Sequence, residues 1–395
     1  MRILVLSPVF PYPASDGDRI RIFNIIEQLK KQGKHKLHLV TFCRAGEEAL
    51  KPELKEYFET VETLAVDKKH IMAGAFKGVF SKVPLNVTGY ESPAMKLLVK
   101  KAVEAYSPDV IFTYRLRMAQ YAFEYAVPKV IDYVDSLALF MKRSAVFEGS
   151  LLKRLYYLFD GPRVEKYERE TAAKFAGVFI NSEEDAQYLG GKNIITAPNG
   201  AMTTPKGRGA KKSPVYTVGF MGNMPYGPNR EAVRYFFKNV WKKTFGNDKN
   251  IKFVIAGRGA DIFKDIAGGN VELKSNVADV GKEISSWHMS VAPVRYGAGR
   301  QNKVMDYWAC GIPVVAAPFA AKGVYGINGK NLLIAENAGQ YAEMIKLLRD
   351  KPGYGKKLAA AAKTTLKRYF EWNNTGKIIN KAVETAAISW KKRTK

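Results

Sequence analysis

Residues 291–318 read VAPVRYGAGRQNKVMDYWACGIPVVAAP, and the rest of the chain is organised around this stretch. A short apolar run at 291–294 predicts a strand. Gly297 and Gly299 then allow a tight turn and a close approach of backbone to a ligand. Arg300 and Lys303 place two cations at the start of a helical pattern. A helix N-terminus already offers free N–H groups and the positive end of its dipole, so the place suits a phosphate. Asp306 follows Lys303 by three positions and shares its helical face. Gly311 stops the helix and Pro313 opens a buried strand at 314–317. An ordinary strand–helix–strand unit with a glycine turn has the same pattern, so the motif alone leaves both readings open.

The alternation extends in both directions. Before the stretch, apolar runs at 2–9, 37–42, 61–66, 110–114, 129–133, 178–181 and 194–197 read as buried strands. Helical spacings separate them, as at Ile20, Phe23, Ile26 and Leu29. A long charged helix is expected at 151–175, kinked near Gly161 and Pro162. The basic, Gly- and Pro-containing segment MTTPKGRGAKKSP at 202–214 interrupts the pattern and reads as a linker. Strands then resume at 215–220, 252–256, 271–273 and 332–334, the second of them ending in Gly257-Arg258-Gly259. The pattern predicts an α/β protein with two Rossmann-like, doubly wound domains facing across a cleft. The expected division is a first domain at 1–202, a linker at 203–214, a second domain at 215–372, and a final helix at 373–395. With the second sheet complete by Ile334, that helix is expected to cross back to the first domain and bury Trp390 at least in part.

The chain carries 63 Lys and Arg against 37 Asp and Glu, a net charge of +26. Such an excess implies an anionic partner. The cations are scattered, without a basic run interleaved with exposed aromatics, which argues against nucleic acid. Lys30, Lys31, Lys34, Lys36, Lys96, Lys100 and Lys101 are candidates for one surface facing an anionic membrane, with apolar side chains of 71–80 dipping into it. A generally basic surface is the competing reading. Cys43 and Cys310 sit in or beside apolar runs, so a reduced, cytoplasmic chain is expected, with peripheral attachment at the inner face of the plasma membrane. No apolar window is long enough to span a bilayer. His35, His38, His70 and His288 lack partners at metal-binding spacing, so no metal is expected. No nucleophile elbow or Walker loop is present.

Four motifs resemble the GT-B glycosyltransferases, and among them the family-four retaining enzymes that use nucleotide sugars. They are SPVFPYPASDGDRIR at 7–21, PNGAM at 198–202, GFMGNMPYGPNREAV at 219–233 and DYWACGIPVVAAP at 306–318. Two departures stand out. The second acid of the family's glutamate pair falls on Asp306, but the first falls on Ala298. Where the family offers an arginine and a lysine to the diphosphate, this chain has Asn223 and Gly227-Pro228-Asn229.

The resemblance implies a nucleotide-sugar co-substrate bound by Gly222, Asn223, Arg258, Gly297, Gly299, Arg300, Lys303 and Asp306. Arg300 and Lys303 would neutralise the diphosphate, and Asp306 would accept from the ribose hydroxyls. Gly17 would let the first loop approach the donor sugar and the acceptor, a glycan or a lipid-linked sugar. Arg19 and Arg21 are candidates to meet an anionic acceptor. Arg115 follows a first-domain strand where related enzymes carry a histidine. Asp132 and Asp135 would orient acceptor hydroxyls or act as a base, and capping of the next helix explains them equally. The implied activity is retaining transfer of a sugar in surface polysaccharide or glycolipid synthesis. The alternatives are a nucleotide-sugar 2-epimerase of the same fold and a non-catalytic sugar-nucleotide-binding protein, the latter suggested by Ala298.

Overall fold

A computed structural model of the chain describes residues 1–14, 16–201 and 211–394. Met202 and most of the expected linker, 203–210, lie outside the described residues. The chain divides into two compact units. One comprises 1–142, 152–199 and the chain from Trp372 onward; the other comprises 143–151 and 200–371.

The first unit contains, in order, β1 (Arg2–Ser7), α1 (Gly17–Gly33), β2 (Lys36–Cys43), β3 (Thr60–Ala65), α2 (Lys68–Gly78), α3 (Leu85–Thr88), α4 (Pro93–Tyr106), β4 (Val110–Tyr114), β5 (Lys129–Val134), α5 (Leu137–Phe147), α6 (Leu151–Ala173), β6 (Gly177–Ile180), α7 (Glu183–Leu189) and β7 (Ile194–Thr196). The end of α5 groups with the second unit. Among the described residues the strands form one sheet in the order β3-β2-β1-β4-β5-β6-β7, and every pairing is parallel. A parallel sheet is covered on both faces, which is why its central strands are predominantly apolar. Ile3 and Val5 face a core closed by Ile22, Ile25 and Ile26 of α1. Leu4 and Leu6 face the opposite core, closed by Met95 and Val99 of α4 and Val164 of α6.

This two-faced arrangement corrects one expectation. Lys30 and Lys31 lie on α1, and Lys96, Lys100 and Lys101 on α4. The two helices cover opposite faces of the sheet, so these lysines do not form one surface. Several are also paired locally: Lys31 with Glu27, Lys36 with Glu59, and Lys100 with Glu104.

The second unit contains β8 (Tyr216–Met221), α8 (Gly227–Phe236), α9 (Lys242–Thr244), β9 (Ile251–Ala256), β10 (Val271–Lys274), α10 (Val280–Ser285), β11 (Met289–Ala292), α11 (Asn302–Ala309), β12 (Val314–Ala316), α12 (Pro318–Lys322), β13 (Leu333–Ile334), α13 (Ala338–Asp350) and α14 (Pro352–Tyr369). Its sheet is also parallel, in the order β10-β9-β8-β11-β12-β13. Trp287 lies against Gly219 of β8, where a Cβ would come within 2.0 Å of the indole. The tryptophan ring takes the space a side chain would need there.

The last helix, α15 (Trp372–Thr394), belongs to the first unit. Ile379, Val383, Ala386 and Ala387 join the core under α1. Gly376 allows the approach: a Cβ there would lie 2.6 Å from Gln28. Asn380 donates to the Gln28 carbonyl at 3.3 Å, and its oxygen meets His35 Nε2 at 3.1 Å. Trp390 is half-buried. Among the described residues no helix is long and apolar enough to cross a membrane.

Candidate functional site

In a doubly wound sheet, loops at the carboxyl ends of the strands diverge where the strand order reverses, and ligands bind in that crevice. The reversal lies between β8 and β11 in the second unit and between β1 and β4 in the first. Most of the candidate residues fall on these two points, with Arg258 beyond the neighbouring β9 and Asp132 and Asp135 at the end of β5. Gly222 and Asn223 follow β8, the glycine loop follows β11, Gly17 lies beyond β1, and Arg115 follows β4.

In the second unit a chain of hydrogen bonds links four side chains. Arg258 Nε donates to Asn223 Oδ1 at 3.1 Å. Asn229 Nδ2 donates to the Asn223 carbonyl at 2.9 Å. Lys303 Nζ donates to Asn229 Oδ1 at 2.6 Å. Gly222 makes the packing possible, since a Cβ there would meet Asn229 Nδ2 at 2.8 Å. Thus Asn223, at the family's arginine position, is held by an arginine from the turn after β9. Asn229, in the family's lysine region, holds a lysine from α11. Sequence reasoning did not give Asn229 this role; only its place in the quoted loop hinted at it.

Gly297 and Gly299 have φ of 144° and 68°, in the region that favours glycine. The loop leads into α11, whose N-cap Gln301 makes no side-chain capping bond. Tyr307 fixes the helix against β8 by accepting from Met221 N–H at 2.8 Å. Lys303 and Asp306 are half-buried. Protein surrounds both closely although each keeps some exposure. Burial pulls the Lys303 ammonium down to about 7, opposed by the charge of Asp306. Burial likewise pushes the Asp306 carboxyl up to about 7, opposed by Lys303. An added anion would restore charge to Lys303.

Arg300 does not join this group. It is buried, and its guanidinium donates to the Gly323 carbonyl. The same group packs 5.0 Å from the Tyr325 ring centre and 5.3 Å from that of Phe370. The expected second diphosphate cation is therefore a packing residue, because the backbone before α11 turns its side chain toward the C-terminal side of the unit.

In the first unit the charges are paired. Arg21 is buried and binds Asp132 through Nε at 2.8 Å and Nη2 at 3.1 Å. Its remaining donors reach Asn199 Oδ1 at 2.7 Å and the Ala197 carbonyl at 3.0 Å. Asp132 is fully buried and also accepts from Val134 N–H at 2.8 Å. This corrects two expectations: Asp132 is closed to an acceptor, and Arg21 is not free for an anion. Arg19 is likewise buried and paired with Glu47 and Asp16.

Val134, whose amide Asp132 holds, has φ of 71° at a break in register between β5 and β6. A β-branched residue in that region is strained, and such strain persists only where its surroundings fix it. The bulge sets Asp135 apart from Asp132. Asp135 is half-buried and meets Asn181 Nδ2 at 3.5 Å. Burial raises its carboxyl above the usual range, against the pull of Arg115 and Arg21. Arg115 itself binds Asp18 and donates to the Tyr133 carbonyl at 3.2 Å. Asp18 resists its own desolvation because Arg115 and Arg117 hold it low. Its part in the cluster was not read from the sequence. Gly17, the first residue of α1, is exposed, and a Cβ there would meet nothing within 4 Å. Folding therefore places no demand for glycine at this position.

Among the described residues no three His, Cys, Asp or Glu side chains gather as a metal cage. His35 and His38 are buried against Asn380 and Glu62, and His288 accepts from Thr217 N–H at the start of β8. None of these three lies at the carboxyl ends of the strands.

Residues 215–350 match the family described as "Glycosyl transferases group 1". A sucrose-phosphate synthase from Thermosynechococcus elongatus is 13% identical, with 98% of this chain and 100% of that chain covered and a TM-score of 0.71. Anabaena Alr3699/HepE, solved in complex with UDP, is 14% identical with the same coverage and a TM-score of 0.67. These likenesses establish the GT-B fold. An uncharacterized 44.6 kDa protein in the cps region of Klebsiella pneumoniae is 21% identical over 363 residues, 87% of this chain and 90% of that one.

Proposed function

From a chain whose second unit carries a group 1 glycosyltransferase domain, we propose a retaining transfer of a sugar from a nucleoside-diphosphate sugar to a glycan or lipid-linked acceptor. The observation that carries this reading is the hydrogen-bonded chain from Arg258 through Asn223 and Asn229 to Lys303 at the strand-order reversal. It holds two cations beside a glycine loop and an uncapped helix start. As the bond from the anomeric carbon to the diphosphate oxygen breaks, negative charge collects on the leaving phosphate. Lys303 and the N–H groups of α11 stabilise that charge, more strongly in the transition state than in the ground state. Asp306 accepts from the ribose, and the nucleotide chemistry agrees with the UDP and UDP-glucose complexes of HepE. The acceptor belongs with Asp135, whose raised carboxyl suits orienting or deprotonating a hydroxyl. The reading requires no metal.

A binding protein without transfer is favoured by one observation, the buried Ala298 at the first acidic position. The 2-epimerase reading has no such support. The test is a thermal-shift screen of nucleoside diphosphates and their sugars, followed by donor hydrolysis and NMR assignment of the product anomer. A ligand at 100 times its dissociation constant stabilises by about 2.7 kcal/mol. Transfer with retained configuration is expected; no stabilisation by any nucleotide would refute the reading. Stabilisation without hydrolysis or transfer would favour the binding protein.

A further inference from the structure

Helix α2 faces the wrong way for a helix in water. Met72, Phe76 and Phe80 form a row at four-residue spacing, and they are 71%, 70% and 87% exposed. The inner face is made of glycine. A Cβ on Gly74 would lie 2.5 Å from the Thr88 carbonyl, and one on Gly78 would lie 2.1 Å from Thr88 Oγ1. Those two positions are pressed onto α3, so the helix cannot roll to bury its aromatic row.

The first turns of α6 are alike. Leu152 is 79% exposed, and Leu155, Leu158 and Phe159 are exposed as well. Arg163 joins the two regions: it stands over the Phe159 ring at 4.9 Å and donates to the carbonyls of Gly78, Ser81 and Val83. Exposed apolar side chains gathered in this way mark an interaction surface. The flanking charge is mostly positive, the N-cap Asp67 of α2 apart. Residues 68–82 and 151–159 contain no Asp or Glu, and Lys68, Lys69, Lys77, Lys82, Lys153 and Arg154 are all exposed.

We propose that α2 and the start of α6 form a docking surface for an anionic lipid bilayer. The apolar side chains enter the interfacial zone and the cations meet the headgroups. A second copy of this chain fits poorly, because a two-fold contact through this surface would set cations against cations. Apart from Leu151 at the very start of α6, the surface lies in the first unit, and it does not depend on the nucleotide reading.

The test is flotation of the full-length protein with neutral phosphatidylcholine vesicles and with vesicles that also contain phosphatidylglycerol. Binding to the anionic vesicles is expected to exceed neutral binding by about tenfold or more at low salt, and to fade as salt rises. Phe76→Ser/Phe80→Ser/Leu152→Ser/Leu155→Ser should lower that binding at least about tenfold, with the thermal transition and the UDP-induced shift unchanged. Lys69→Gln/Lys77→Gln/Lys153→Gln/Arg154→Gln should remove the preference for anionic lipid. Absence of binding at low salt would overturn the proposal, as would equal binding to both vesicle types or undiminished binding of the serine variant. So would an oligomer abolished by the serine variant without vesicle binding. The UDP shift, read on the same samples, reports the nucleotide site separately.

Discussion

The two strand-order reversals are built alike in backbone and differently in charge. In the second unit, Lys303 and Arg258 rest on amide oxygens of asparagines, and the Asp306 carboxylate makes no hydrogen bond among the described residues. In the first unit, Arg21 is matched by Asp132 and Arg115 by Asp18. An amide positions a cation without cancelling it, whereas a carboxylate cancels it. The second reversal therefore retains positive charge for an anion. The first spends its cations on fixing geometry, and what it presents is a single carboxylate, Asp135, on a strained bulge.

The largest expected effect tests the paired side. Asp132→Ala strands the buried Arg21 and frees the Val134 amide, so a loss of about 3–5 kcal/mol in urea unfolding is expected. Asp135→Asn should change stability by less than about 1 kcal/mol. Equal losses would erase the distinction between the two acids.

On the unpaired side, Lys303→Ala should weaken UDP binding about 10–100-fold by calorimetry, with the unfolding midpoint little changed. Arg300→Gln should do the reverse, lowering stability by about 1–3 kcal/mol while UDP affinity stays close to that of the parent.

The comparison also has a pH dependence. Lys303 titrates near 7 in the free protein, and a bound diphosphate favours its charged form. Above that pH, binding must take up a proton, so UDP affinity should fall by up to about tenfold per pH unit. Asp306, losing its proton over the same range, accepts more strongly from the ribose and favours the charged Lys303, so it offsets part of the fall. Lys303→Arg keeps its charge and should flatten most of the profile; an unchanged slope would remove Lys303 from the site.

The smallest effect concerns a carboxylate that is buried without a cation. Glu168 accepts from Ser136 Oγ at 2.8 Å and Leu137 N–H at 2.7 Å at the start of α5, and burial raises it from 4.5 to about 7. Between those values the folded chain binds more protons than the unfolded one. Its contribution therefore declines as pH rises through that window. Glu168→Gln should flatten this part of the melting-temperature profile and raise the melting temperature at about pH 8.

What the sequence made legible was local. The alternation of apolar runs with helical spacings gave the parallel sheets because the central strands are buried on both faces. Gly297, Gly299 and Lys303 were legible because loop and helix start are contiguous. The Arg21–Asp132 pair spans 111 residues and the Lys303–Asn229 contact 74, and no local pattern encodes either. Asp132 and Asp135 looked equivalent in the run Asp132-Tyr133-Val134-Asp135. A bulge separates them, and the left-handed φ at Val134 is set by its partners. Arg300 was misread because its place in the chain was visible and its side-chain direction was not.

The return of α15 makes the first unit discontinuous in the chain, with consequences for synthesis. Its contact with α1 joins residues as far as 352 positions apart. A chain emerging from the ribosome can therefore pair β1 to β7 long before the helix that covers one face exists. Until α15 emerges, Ile22, Ile25 and Ile26 lack their cover from Ile379 and Val383. The nascent first unit is thus expected to stay open and chaperone-dependent through synthesis of the entire second unit. Its stable folding then waits on the emergence of α15.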